Sequence, residues 1–108
     1  MSIPTYSPAT VEAAKLLGSR VRLARKRRRW TMMQLAERTG VSQTTVRKIE
    51  HGDPSVALGT AFEAATLVGV ALFHPDLARR RLESSRVDDM LAVLPASVRL
   101  PTGFDDDF

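Results

Sequence analysis

Apolar residues recur every three or four positions through most of the chain up to Val70, with polar residues between them, the period of helices packed by one face. Residues 1–8 carry two prolines and no apolar period, and read as a mobile N-terminal arm. A first helix is expected from Pro8 or Ala9, with Ser7 as its N-cap and Pro8 at its first position. Its inward stripe is then Ala13, Leu16, Leu17, Val21 and Ala24. Between Thr31 and Gly52 the pattern shortens to TMMQLAERTGVSQTTVRKIEHG. Leu35 and Ala36 give one short helix a buried face, Gly40 relieves a turn, Val41 plugs it, and Val46 and Ile49 return a second short helix to the core. Glycine suits a turn of positive φ, and alanine suits two helix axes in close approach. Thr31 and Ser42 can cap the two helices, the second of which stops near Gly52. The segment reads as a helix-turn-helix. Its second helix leaves Gln43, Thr44, Thr45, Arg47 and Lys48 outside, a polar and basic face suited to nucleic acid.

HGDPS is a turn. A fourth helix is expected close to Ser55, carrying Leu58, Ala61, Phe62, Ala65 and Leu67 or Val68, and ending at Gly69. After Val70 the pattern weakens. LFHPDLARRRLESSRVDDMLAVLPASV offers one or two amphipathic helices interrupted by Pro75 and Pro95, and PTGFDDDF is acidic and turn-rich. The expected fold is all-α: a compact four- to five-helix bundle with a helix-turn-helix, a short C-terminal helical extension and an acidic tail. The expected divisions are the arm (1–8), the helix-turn-helix domain (9–73), the extension as a dimer contact (74–96) and a flexible tail (97–108).

At 108 residues the chain is long enough for one small domain. The formal charge of +4 and sequence pI near 10.3 suggest a polyanionic partner. The charge is unevenly placed. Arg20, Arg22, Arg25, Lys26, Arg27, Arg28 and Arg29 form one basic cluster, whereas Glu83, Asp88, Asp89, Asp105, Asp106 and Asp107 are half of the 12 acids. Positive charge near the end of the first helix also complements its dipole. With no cysteine and two histidines, disulfides and thiolate metal sites are excluded and no metal or cofactor is expected. A reducing cytoplasm is the simplest setting, and no segment approaches the roughly 20 apolar residues of a membrane span. No catalytic set emerges: there is no glycine-framed serine, no paired nucleophile and no phosphate-cradling glycine loop. Trp30 reads as a plug between the first two helices, Met32, Met33 and Met90 as packing or interface residues, and His51 and His74 as turn residues.

The stretch RVRLARKRRRWTMMQLAERTGVSQTTVRKIEHGDPSVALGTAFEAATLVGV resembles the helix-turn-helix domain of the phage repressor and Cro class, the XRE family. The matching features are ordered: the LAERTGVS turn, the VRKIEHG close of the second helix, then a helix ending in small residues. Met32 departs from the family, whose members often place there a glutamine that meets a DNA phosphate. The resemblance implies that the second helix enters the major groove. Gln43 would read adenine through its amide, with Thr44, Arg47 and Lys48 as further base readers. Thr31, Ser42 and Thr45 would meet the DNA backbone, with Arg22, Arg27 and Arg28 of the basic cluster. Arg25 and Glu50 would form a structural ion pair. Such domains act on double-stranded DNA as homodimers at palindromic operators, with half-sites about 34–36 Å apart. Leu72, Phe73, Leu77, Leu82, Val87, Leu91, Val93 and Leu94 exceed what a small appendage hides alone, so a homodimer built partly from residues 70–95 is expected.

GDPSVALGT after the motif and the ending VLPASVRLPTGFDDDF resemble the HipB-type antitoxins. That resemblance implies a bacterial, nucleoid-associated repressor of its own operon that also binds a HipA-type serine/threonine kinase toxin. Phe104, Asp105, Asp106, Asp107 and Phe108 would be the partner-binding tail, with aromatic anchors and steering acids. Two alternatives stay open: a stand-alone or prophage regulator, and a protein-interaction adaptor without specific DNA binding.

Overall fold

Caps and helix-terminating turns punctuate the chain. In the computed structural model, which describes residues 5–98, five helices follow one another: α1 (Pro8–Arg27), α2 (Met32–Thr39), α3 (Gln43–Glu50), α4 (Leu58–Leu67) and α5 (Leu77–Ala92). There is no strand among the described residues, so the expected all-α class holds. The chain divides into two units, Met1–Leu72 and Phe73–Phe108.

In the first unit the start signals expected of Ser7, Thr31 and Ser42 are in place. Their hydroxyls accept from the N–H groups of Thr10, Gln34 and Thr45, and Gln34 returns the bond to the Thr31 N–H at 2.8 Å, closing a capping box. Helices α1, α3 and α4 end alike. A residue of positive φ follows each, and the next N–H bonds back into the last turn: Trp30 to the Arg25 carbonyl, Asp53 to Lys48 and Val70 to Ala65. The positive-φ residue is glycine in two cases, Gly52 and Gly69, but Arg29 (φ 61°) after α1.

The core gathers where α1, α2, α3 and α4 meet. Val21, Leu35 and Val46 are fully buried, joined by Ala36, Ile49, Ala64, Ala65 and Val68. Each of the large side chains contributes about 1.5–3 kcal/mol by leaving water. The expected stripe of α1 needs correction. Ala13 and Leu16 are exposed, and the inward line runs through Leu17, Gly18, Val21, Ala24 and Arg25. The reason is the approach of α3. A β-carbon on Gly18 would collide with the Ile49 carbonyl oxygen and lie 2.8 Å from that of Glu50, so α1 is rotated to present its glycine there. Gly52 plays the reciprocal part, with an added β-carbon 2.6 Å from the Lys15 α-carbon.

Helix α4 begins at Leu58, not near Ser55, because Ser55 is held in a turn by Asp53. Leu58 is exposed, while Ala64, unforeseen, is buried. In the second unit, one helix fills the interval between Pro75 and Pro95. Asp76 caps α5 by accepting from the Ala78 N–H at 2.9 Å, and none of its residues is buried.

Candidate nucleic-acid interface

The turn between α2 and α3 is set by Gly40 at φ 77°, with open space around its α-carbon, so the backbone angle and not crowding calls for glycine there. The next residue, Val41, is half-buried against the core, and its N–H donates to the Ala36 carbonyl at 3.1 Å. Ser42 then starts α3 in extended conformation, its Oγ 3.0 Å from the Thr45 hydroxyl.

Helix α3 divides cleanly by face. Val46, Ile49 and Glu50 are buried. Gln43, Thr44, Arg47 and Lys48 are all exposed and fall on the opposite arc of the helix, while Thr45 is half-buried at its edge. The four candidate base readers therefore share one solvent-facing surface, beginning at the helix N-terminus where unpaired backbone N–H groups favour anions. Thr31 and Ser42, the candidate backbone donors, stand at the N-termini of α2 and α3 and are exposed. Met32 packs against the core and presents no donor.

The basic cluster divides by task. Arg25 is buried, and its guanidinium grips Glu50 twice, Nε to Oε2 at 2.6 Å and Nη2 to Oε1 at 3.0 Å. Its Nη1 donates to the Trp30 carbonyl at 2.8 Å. This bidentate pair ties α1 to the end of α3 and fixes the pitch at which the outer face is presented. Arg28 does not point freely outward like its neighbours, since its Nε donates to the Val68 carbonyl at 3.0 Å, at the end of α4. Arg20, Arg22, Lys26, Arg27 and Arg29 are exposed. Trp30 is half-buried against the core, with the Arg38 guanidinium 4.2 Å and that of Arg28 5.5 Å from its ring centre. Cations over an indole face stabilise it by about 0.5–1 kcal/mol at such exposed sites.

Asp53 closes the loop after α3. The Ser55 hydroxyl donates to its Oδ1 at 2.6 Å and the Ser55 N–H at 2.8 Å. These two bonds, with a smaller attraction from Lys48, hold the Asp53 carboxyl below the ordinary carboxylate range.

Four features had little or no signal in the sequence. Gly18 was one small residue in a helical run, Arg38 looked like one more surface cation, and Arg28, expected at the DNA backbone, gave no sign of its bond to Val68. Asp53 was visible only as part of a turn. Phe104, Asp105, Asp106, Asp107 and Phe108 lie outside the described residues. Among the described residues no group of three or more His, Cys, Asp or Glu side chains is placed to hold a metal, and no helix is long and apolar enough to cross a membrane.

No curated protein and no solved structure matches the chain. The helix-turn-helix domain family matches over residues 16–72, which span α2, the Gly40 turn, α3 and all of α4 together with most of α1. By that match and by the geometry of its α2–turn–α3 segment, the chain belongs to the helix-turn-helix family of DNA-binding domains.

Proposed function

We propose that the chain is a dimeric, sequence-specific transcriptional repressor, the autoregulating antitoxin of a toxin–antitoxin pair whose toxin is a HipA-type serine/threonine kinase. The observation that carries the DNA-reading half is the outer face of α3, where Gln43, Thr44, Arg47 and Lys48 are exposed together while the inner face is locked to the core. In this reading Gln43 pairs with adenine N6 and N7, and Thr44, Arg47 and Lys48 read neighbouring bases. Thr31, Ser42, Thr45, Arg22 and Arg27 meet phosphates and set the register. Arg28 adds charge with the part of its guanidinium that Val68 does not hold. The toxin half is supported by the resemblance of the GDPSVALGT segment and of the acidic ending to HipB-type antitoxins.

The test is binding of the purified chain to its own promoter fragment and to a scrambled duplex across a salt series. Affinity should fall steeply with salt on both, through release of condensed counterions, with the promoter keeping a margin of about 4–10 kcal/mol. The Gln43→Ala variant should lose about 1–3 kcal/mol of that margin at one base position. Equal affinity for both duplexes would overturn specific reading. For the toxin half, removal of residues 101–108 should weaken binding of the kinase and leave promoter binding unchanged; an unaltered kinase affinity would take the tail out of the account.

A further inference from the structure

Helix α5 is 16 residues long and has no buried residue, and a lone helix of that length is marginal in water. Along it, Leu77, Ser84 and Leu91 alternate with Arg80 and Val87 at steps of three and four, the spacing of a coiled-coil seam, and Leu94, two residues past the helix end, falls at the next step. Leu77, Val87, Leu91 and Leu94 are all exposed. Arg80 bends back so that its guanidinium donates to the His74 carbonyl, within its own chain. Arg81 and Asp88 flank the seam on one side, and Asp76, Glu83 and Met90 on the other. Leu82 and Val93 lie off it.

We propose that α5 pairs antiparallel with α5 of a second copy of this chain, Ser84 of one against Val87 of the other and Leu77 against Leu94 just past the helix end. This deepens the dimeric reading above and rests on it for the existence of a homodimer. Charge decides the direction. In an antiparallel pair the same flank meets itself reversed, so Arg81 faces Asp88 of the second copy twice over, and each Arg80 lies against a leucine. A parallel pair puts Arg80 against Arg80 inside the seam. It also sets Glu83 opposite Asp88 on both flanks, which offsets the favourable contact of Asp76 with Arg81.

The chain has no cysteine, so introduced thiols report pairing without background. In the full-length protein, Leu77→Cys and Leu94→Cys should each fail to cross-link alone but should form a disulfide-linked dimer when the two variants are mixed. The dimer dissociation constant, read by sedimentation, should rise roughly tenfold for Asp88→Arg and return with the swap Arg81→Asp/Asp88→Arg. Cross-linking of Leu77→Cys with itself, or tighter association of Asp88→Arg, would overturn the antiparallel arrangement in favour of a parallel one. A dimer that neither thiol cross-links and that ignores Asp88→Arg would overturn the role of α5 while leaving the homodimer intact. A chain that is monomeric at all concentrations would remove both.

Discussion

Leu35 in α2 is 0% exposed and Leu91 in α5 is 61% exposed, although both are leucines in amphipathic helices of the same chain. The difference lies in their neighbours. In the unit that buries Leu35, small residues let helix axes converge: Gly18 under the α3 carbonyls, Ala36 on α2, and Ala64 and Ala65 on α4. Around Leu91 the spacing is right for one seam, but arginine and acid side chains occupy most of the remaining surface, and among the described residues no second helix of the same unit is there to meet it. Apolar content alone does not bury a helix. Close approach does, and it is bought residue by residue with glycine and alanine.

The largest expected effect comes from an uncompensated charge in the first unit. Glu50→Ala leaves the buried Arg25 guanidinium with the Trp30 carbonyl as its remaining partner, and should cost about 3–5 kcal/mol of unfolding free energy. Trp30 is the only tryptophan and packs on the first unit's core, so its fluorescence in urea reports that unit directly. A loss below about 1 kcal/mol would mean that the pair behaves like an exposed one, and that the two units differ less than their burial implies. The next effect in size is the paired truncation. Leu35→Ala should cost about 2–5 kcal/mol through lost burial and a residual cavity. Leu91→Ala, in dilute protein, should move the same Trp30 transition by no more than about 0.5 kcal/mol.

How far each unit was legible in the sequence follows the same division. The caps Ser7, Thr31 and Ser42, the turn glycine Gly40 and the inner residues Leu35, Ala36, Val46 and Ile49 could be placed because each obeys a local rule. The exposed set Gln43, Thr44, Arg47 and Lys48 followed from what the inner face left over. What escaped is tertiary. The rotation of α1 that exposes Ala13 and Leu16 depends on where α3 lies, and Ser55 reads as a helix start until Asp53 claims it. Arg25 and Arg28 look alike in the run from Arg20 to Arg29: the family resemblance, not the pattern, pairs Arg25 with Glu50, 25 residues away, and nothing in the sequence sends Arg28 to the Val68 carbonyl, 40 residues away. Periodicity carries no information over such distances.

A smaller effect, of opposite sign, tests the end of α1. Arg29 occupies the left-handed position that Gly52 and Gly69 fill after α3 and α4. An L-residue there is strained by roughly 1 kcal/mol, because its β-carbon crowds the backbone. Arg29→Gly should therefore stabilise the first unit by about that amount in the same urea assay. No change would mean that the arginine side chain contributes as much as its backbone costs, and that the basic cluster supports the fold at one more point.

The smallest expected effect isolates one charge in the turn after α3. Asp53→Asn keeps an oxygen to accept from both the Ser55 hydroxyl and the Ser55 N–H, so the turn geometry survives and only the ionisation is removed. In the folded protein those bonds and Lys48 favour the carboxylate, which places its folded pKa below the unfolded one. A group lowered in this way stabilises the fold at pH above the ordinary carboxylate range, and loses that contribution as the pH falls through the folded value. The parent and Asp53→Asn should thus differ in thermal midpoint at neutral pH, the parent being higher, and converge at acid pH. Salt should narrow the gap only by the share that Lys48 supplies, because the hydrogen bonds from Ser55 are not screened. A gap that persists unchanged into acid would locate the effect in the turn geometry and not in the charge, and Lys48 would then owe its position to the helix alone.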